Sequence, residues 1–165
     1  MEHKVKRIFL GVVILILALG VPGCSAWDTY APARETLKQN RTKWESRHIT
    51  HYRMSLGLPW SSDNVDRMPL VVEVKDNRVI SVVDARGQTV SAAFDPDTEF
   101  YYPDLFSVPG LFSYATQEFD KQPPSVDVSY DPLLGYPTLI SVDPYVEPCC
   151  EEYDVTVEKL QILPP

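Results

Sequence analysis

The hydrophobic positions of this chain fall into two regions with different patterns. Residues 8–20 form one apolar run without a charge, and Lys4, Lys6 and Arg7 make the chain before it basic. From residue 33 onward, apolar residues instead recur at the spacings of helices and strands. The first region is typical of an export signal, being too short for a comfortable membrane span of about 20 residues. The fold is therefore predicted from the second region alone.

The first helical pattern covers residues 33 to about 47, a segment without Gly or Pro. Ala33, Leu37 and Trp44 fall on one face at helical spacing, while most other positions are polar. The segment is therefore predicted to be a surface helix with a narrow apolar stripe.

A second, shorter helix is predicted over about residues 108–120. Ser107 can cap its amino terminus, and Pro109 is suited to a first turn. Pro123 and Pro124 are expected to end it. The residues predicted to face the core are Leu111, Phe112, Ala115 and Phe119.

The remaining pattern is that of strands joined by hairpins. A turn at Asp76-Asn77 between two runs rich in Val and Ile gives the clearest hairpin. The predicted strands are residues 51–58, 70–75, 78–83, a short edge strand at 89–94, 126–130, 138–143 and 153–160, with loops at 59–69 and 95–106. Because hairpin-type connections dominate, we predict an α+β domain. Its sheet would be mostly antiparallel, with about five to seven strands, and the N-terminal helix and the second short helix would pack on it.

The net charge of the chain limits the classes of partner that the protein is expected to bind. The chain has 165 residues and a net charge of -8, and residues 1–23 hold three Lys or Arg and one Glu. Residues 24–165 therefore carry 12 basic and 22 acidic side chains, a net charge of -10. Such a surface disfavours nucleic acid, which needs clustered cations, and we predict no nucleic-acid partner.

The end of the apolar run resembles the lipobox of bacterial lipoprotein precursors. Val21, Pro22 and Gly23 precede Cys24, with Pro22 departing from the small residue usual at its position. The resemblance implies a lipid on the Cys24 sulfur and cleavage before Cys24, so that the protein would be anchored to a membrane. Two alternatives remain open: ordinary cleavage after Ala26, which would release a soluble protein, and an uncleaved signal acting as a short anchor.

These observations predict three regions: a lipoprotein signal peptide at 1–23, a tether at 24–32, and a single α+β domain at 33–165. The predicted location is the cell envelope, on the extracytoplasmic side of a membrane. Ser25 is not the Asp associated with inner-membrane retention. The outer membrane is therefore favoured if the organism has two membranes.

The most distinctive stretch is Tyr-Asp-Pro-Leu-Leu-Gly-Tyr-Pro at residues 130–137. It resembles the signature of a bacterial family of exported, often lipidated domains of unknown function. Trp44 with Tyr52, and residues 107–112, are similar to other parts of that family. Many members carry a closely spaced cysteine pair after the first strand, which this chain lacks. The resemblance implies a fold and a location, and no activity.

The residues of this motif have two interpretations. Asp131-Pro132 can begin a turn and Gly135 can adopt positive φ, so the motif would shape a hairpin. Alternatively Tyr130, Asp131 and Tyr136 would form a contact surface for a partner, because aromatic residues on loops are common interface anchors.

Cys149 and Cys150 are the most unusual pair in the chain. If Cys24 carries lipid, they are the remaining thiols in an oxidising compartment. Four roles then stay open for them: a strained disulfide with redox activity, a structural disulfide, part of a metal site, or thiols without a role.

Other candidate clusters are weaker. Glu45, His48 and His51 are spaced by three residues, but they match no zinc motif. Asp95, Asp97, Glu99 and Asp104 form an acidic loop that lacks the glycine and closing Glu of a calcium loop. These patterns favour surface residues, so no metal or cofactor site is predicted.

We find no pattern of a catalytic triad, a phosphate-binding loop or a dinucleotide site. The sequence therefore predicts a non-enzymatic binding or interaction module of the envelope, with an envelope protein as a candidate partner. The alternative is a thiol-redox or metal-handling protein using Cys149 and Cys150. An envelope hydrolase is the least favoured class, because no activated nucleophile is recognisable.

Overall fold

The computed structural model describes residues 28–58, 67–90, 103–145 and 153–165. These residues form two α-helices, one turn of 3-10 helix at Pro103–Phe106, and six β-strands. In chain order the elements are α1 (Ala31–Glu45), β1 (His51–Gly57), β2 (Leu70–Lys75), β3 (Arg78–Val83), α2 (Val108–Lys121), β4 (Ser125–Tyr130), β5 (Pro137–Asp143) and β6 (Tyr153–Ile162).

The six strands form one antiparallel sheet in the order β3-β2-β1-β6-β5-β4. It consists of two three-stranded meanders, and the pairing of β1 with β6 joins them. The helix α2 connects the meanders in sequence. The predicted α+β class with a mostly antiparallel sheet is therefore confirmed.

Helix α2 has clear end signals. The side chain of Ser107 accepts a hydrogen bond from the Gly110 amide at 3.1 Å, and α2 ends where Gln122 adopts a left-handed conformation. The predicted buried face of this helix is confirmed, since Leu111, Phe112, Ala115 and Phe119 are all buried. In α1, Leu37 and Trp44 are buried and Ala33 packs against the core.

One face of the sheet supplies the core. In β1, Tyr52, Met54 and Leu56 are buried and alternate with more exposed residues such as Arg53. The amide of Val108 donates to the Tyr52 hydroxyl at 2.9 Å, so this buried face is the one that the helices cover. The opposite face of the sheet is polar and carries the ion pair between Arg53 and Glu73.

Several element ends differ from the predictions. Helix α1 begins two residues earlier, because Pro32 fits its first turn. A turn of 3-10 helix occupies Pro103–Phe106, within a predicted loop, and β6 extends two residues further than expected. Thr89 makes an isolated bridge with Val83. The rest of the predicted edge strand, 91–94, and most of the loop 59–69 lie outside the described residues.

The two ends of the sheet are structurally distinct. Near the start of α1, the Tyr30 hydroxyl donates to the Pro123 carbonyl at 2.7 Å, and the Tyr30 ring lies 5.2 Å from that of Phe119. We call this the proximal end, where β4 and β6 begin. Helix α1 extends about 22 Å to the opposite, distal end, where β1 begins. The distal end also contains the β2–β3 turn, the loop 131–136 and residues 163–165.

Candidate functional site

The loop of the Tyr-Asp-Pro motif, residues 131–136, is held together by Asp131. Its carboxylate accepts hydrogen bonds from the amides of Leu133 and Leu134 at 2.9 and 2.6 Å. The Asp131 amide donates to the Tyr136 carbonyl, and the Gly135 amide donates to the Asp131 carbonyl, both at 2.9 Å. Asp131 therefore performs the turn-forming role that the sequence suggested.

Gly135 lets the loop approach helix α1 closely. Its φ is +84°, and a Cβ atom added there would lie 2.7 Å from the Asn40 carbonyl oxygen. A side chain would therefore be strained by the backbone conformation and would also clash with the helix.

Two basic side chains hold the loop against helix α1. One lies in the last turn of the helix and the other just after it. The Lys43 ammonium donates to the Pro132 carbonyl, and the Arg47 guanidinium donates to the Leu133 carbonyl at 3.1 Å. Leu133 itself is 72% exposed. The loop thus packs on the helix through its backbone and presents Leu133 to solvent.

The aromatic residues around the loop belong to the core. The Trp44 ring packs edge-on against Tyr52 at 5.4 Å and against Tyr136 at 6.1 Å. Tyr136 is buried, and burial raises the pKa of its hydroxyl. Tyr136 was predicted to contact a partner, but most of its surface is already covered by the protein's own side chains.

Tyr130 lies beside helix α2. Its ring stacks on Phe112 at 6.5 Å, and its buried hydroxyl has no hydrogen-bond partner among the described residues. Burial raises the pKa of this hydroxyl to about 12. The structure gives the motif the hairpin-shaping geometry of the first interpretation. That Tyr130, Asp131 and Tyr136 also contact a partner stays a prediction.

A cleft of about 410 Å³ opens at the distal end, where the carboxyl end of α1 meets the start of α2 and the β2–β3 turn. We call it the distal cleft. Its lining residues are Arg41, Trp44, Glu45, His48, Ile49, Thr50, Asn77, Pro109 and Phe112. It combines apolar walls with a few polar side chains, which is the usual composition of small-molecule sites of this size.

The distal cleft has three polar side chains that make no hydrogen bond to the parts of the chain that the structure describes, namely His48, Thr50 and Asn77. His48 and Asn77 also have positive φ values of 51° and 59°. Such a backbone conformation is common for Asn in a hairpin turn and for a residue that follows the end of a helix.

Arg41 is the cation of the distal cleft. Its guanidinium lies 5.8 Å from the Phe112 ring centre and 3.4 Å from the Glu45 carboxylate. Both partners of this ion pair are exposed, at 40% and 64%, so water weakens their attraction. The guanidinium therefore remains accessible to another anion.

A second hollow, of about 400 Å³, lies on the other side of residues 48–50 and is partly formed by residues 162–165. His51 lies in it, with Nε2 at 3.0 Å from Glu73 and Nδ1 against the Pro164 carbonyl. Hydrogen bonds from Arg53, and secondly from His51, lower the pKa of the Glu73 carboxyl. The polar groups of His51 are thus engaged by the protein itself.

The structure does not assemble a metal site from Glu45, His48 and His51. Glu45 pairs with Arg41, His48 lines the distal cleft, and His51 contacts Glu73. In the described part of the chain, no group of three or more His, Cys, Asp or Glu side chains could hold a metal ion.

Several predicted residues lie outside the described ranges. These are Cys24, Cys149 and Cys150, and the acidic residues Asp95, Asp97 and Glu99. The predicted lipid anchor and thiol pair therefore stay predictions. Within 28–58, 67–90, 103–145 and 153–165, neither helix has the length and apolar character needed to cross a membrane.

The distal cleft was not identified by sequence reasoning. Arg41, Asn77 and Pro109 come from three distant segments, and only the fold brings them together. The sequence did predict the hairpin turn at Asp76-Asn77, which contributes to the cleft. It does not show that this turn lies close to the end of the first helix.

The architecture defines a small α+β domain in which two helices running in opposite directions cover one face of a six-stranded antiparallel sheet. A family model matches residues 36–162, more than half of the chain, and is described as a family of unknown function, DUF6174. The chain belongs to this family. No curated protein and no solved structure matches the chain.

Proposed function

We propose that this protein is a lipid-anchored lipoprotein of the bacterial envelope that acts as a non-enzymatic binding module. The observation that carries the proposal is that Asp28, where the described part of the chain begins, and the distal cleft lie at opposite ends of the domain. Cys24 lies four residues before Asp28, the first described residue. A lipid at Cys24 would therefore hold the proximal end next to the bilayer.

Two lengths describe this arrangement: the reach of the residues before Asp28 and the length of helix α1. Four extended residues reach at most about 14 Å, which is a short tether. Helix α1, which has 15 residues, then spans about 22 Å from the proximal to the distal end, and the distal cleft lies along its last turns. The tether thus sets the proximal end toward the membrane and leaves the cleft accessible from the periplasm or the medium.

The side chains of the distal cleft support binding over catalysis. His48 is the imidazole in the lining, and it makes no hydrogen bond to the Thr50 hydroxyl. An activated hydroxyl nucleophile requires such a contact with a base, and the base requires a third orienting group. What the cleft offers is apolar surface with accessible hydrogen-bonding groups.

The anchoring half of the proposal is tested by intact-mass analysis of the protein purified from bacterial membranes. We expect a chain that starts at Cys24 and carries the mass of a diacylglycerol group. Cys24→Ala should remove the adduct and leave the protein unprocessed, whereas Cys149→Ala should change neither. An unmodified chain starting elsewhere would contradict the anchoring.

The binding half is tested separately, because the distal cleft does not depend on the lipid. Full-length protein in a nonionic detergent would be screened by NMR against small ligands, with the amide signals of residues 41–50 and 77 as the readout. Saturable shifts at these positions support a binding role. Turnover of any ligand, or a complete lack of saturable shifts at these positions, would contradict it.

A further inference from the structure

The charges of the domain are distributed unevenly between its two ends. Five of the twelve Lys and Arg residues after residue 23 lie at the distal end, near the end of α1 or beside the β2–β3 turn. They are Arg41, Lys43, Arg47, Lys75 and Arg78. The proximal end instead holds five acids, and Arg34 pairs with two of them, Asp28 and Asp120. The five are Asp28 before α1, Asp120 on α2, and Asp127, Asp143 and Asp154 on the strands.

This asymmetry matters because the protein as a whole is acidic. At the proximal end an anion meets mainly acids. At the distal end the five cations offset four acids, Glu45, Glu73, Asp76 and Asp131, so an anion is repelled less there. The carboxylate of Asp131 is occupied by two amides of its own loop. The distal cleft lies at this end of the domain.

The lining of the distal cleft supplies suitable donors for an anion. The Arg41 guanidinium is accessible, and the Asn77 amide and Thr50 hydroxyl have no partners among the described residues. A guanidinium fork fits carboxylate and phosphate oxygens well. Glu45, the acid in the lining, is exposed and can turn away from Arg41 when another anion replaces it.

His48 supplies a further donor. Its left-handed backbone conformation, φ 51°, is the same helix-ending geometry that Gln122 adopts after α2. It places an imidazole in the lining of the cleft, where a ring N–H can donate to an anion.

From these observations we infer that the distal cleft binds a small organic anion, a carboxylate or phosphate carried on an apolar body about the size of one ring. Arg41 and His48 bind the anionic group, with Asn77 and Thr50 as further donors. The body packs against Ile49, Pro109 and Phe112. The inference rests on the proposed binding role and is independent of lipid anchoring.

The test uses four probes of similar size that differ in charge: benzoate, phenyl phosphate, benzamide and benzylamine. Each is titrated into full-length protein in a nonionic detergent, with a detergent-only blank, and followed by NMR. We expect benzoate and phenyl phosphate to shift the amides of residues 41–50 and 77 and the Trp44 indole signal. Neutral benzamide and cationic benzylamine should bind at least about tenfold more weakly, since they lack the charge-assisted contact.

Matched variants locate the site. Arg41→Gln should weaken benzoate binding by roughly tenfold, the effect of losing one charge-assisted hydrogen bond. Lys159→Gln removes the same charge from the polar face of the sheet and should leave affinity within about twofold, because exposed distant charges are screened. His48→Gly should weaken binding without lowering thermal stability, since Gly relieves the left-handed backbone.

Each outcome decides the inference. Equal binding of all four probes in the cleft would overturn the anion preference and leave the general binding role in place. Equal weakening by Arg41→Gln and Lys159→Gln would show non-specific attraction and would also overturn the inference. Shifts confined to other parts of the protein, or no saturable shifts, would remove the site. None of these results bears on the lipid at Cys24.

Discussion

The motif loop and the distal cleft lie at the same end of the molecule, but they use their polar groups in opposite ways. In the loop 131–136, the Asp131 carboxylate and the backbone carbonyls of Pro132 and Leu133 are engaged within the protein. In the cleft, the side chains of His48 and Asn77 have no partners in the described ranges.

The difference shows that a recognisable motif does not by itself mark a binding site. The Tyr-Asp-Pro-x-x-Gly-Tyr-Pro stretch is distinctive because docking a tight loop on a helix requires Asp, Gly and Pro at fixed positions. The cleft needs only a few side chains from separate segments, so it leaves no compact pattern in the sequence. The comparison can be tested by variants that affect one region and not the other.

The largest effect is expected from Gly135→Ala. The new Cβ would lie 2.7 Å from the Asn40 carbonyl oxygen, on a backbone with φ +84°. We expect a loss of about 3 kcal/mol in the free energy of unfolding, combining left-handed strain and a steric clash. Urea denaturation would measure it.

Gly87→Ala is the matched control for that variant. Gly87 has φ +80°, and no described atom lies within 4 Å of the position of its Cβ. It should lose only the conformational part, about 1 kcal/mol. Equal losses at the two glycines would contradict the close approach of the loop to α1.

The next effect concerns two buried tyrosines with different surroundings. The Tyr52 hydroxyl accepts from the Val108 amide, so Tyr52→Phe should leave a buried amide unpaired and cost about 2 kcal/mol. The Tyr130 hydroxyl has no described partner, so Tyr130→Phe should raise stability by about 1 kcal/mol. Paired urea unfolding curves give both values. A loss at Tyr130 as large as that at Tyr52 would show that the Tyr130 hydroxyl has a partner.

The same tyrosines predict an alkaline transition. Burial raises the pKa of Tyr52 and of Tyr130 from the usual 10.0 to about 12. The unfolded chain therefore releases these protons first, so the contribution of these two tyrosines to stability should be complete below pH 10 and should be lost between pH 10 and about 12. Tyr130→Phe should make this fall shallower, as measured by unfolding at successive pH values. An unchanged slope would contradict the burial of that hydroxyl.

A smaller effect is expected from Asp131→Ala. Removing the carboxylate leaves the amides of Leu133 and Leu134 without their acceptor, which should cost about 1 kcal/mol, as for a lost helix cap. Asp154→Ala, at an exposed position of β6, is the control and should change stability by less than about 0.5 kcal/mol. Both variants should leave the distal cleft intact, so benzoate affinity should not change.

Much of the fold was predictable from local pattern. The β2–β3 hairpin was predicted with its observed bounds, because two Val-rich runs flank Asp76 and Asn77, which both adopt positive φ. The buried face of α2 was predictable for a similar reason, since helical spacing and the Ser107 cap are local signals.

The parts that were not predictable depend on contacts between distant residues. The pairing of β1 with β6 joins the two meanders across about a hundred residues of sequence, and no local signal specifies it. The docking of Gly135 on α1 and the convergence of Arg41, Asn77 and Pro109 have the same character. Sequence reasoning identified the turn residues of the motif but not the helix against which they pack.

The central claim is that binding occurs in the distal cleft and not on the motif loop. The most direct measurement is the benzoate affinity of two variants of the full-length protein, Arg41→Gln in the cleft and Leu133→Ser on the exposed tip of the loop. The account predicts roughly tenfold weaker binding for Arg41→Gln and unchanged binding for Leu133→Ser. Weaker binding for Leu133→Ser together with unchanged binding for Arg41→Gln would contradict it.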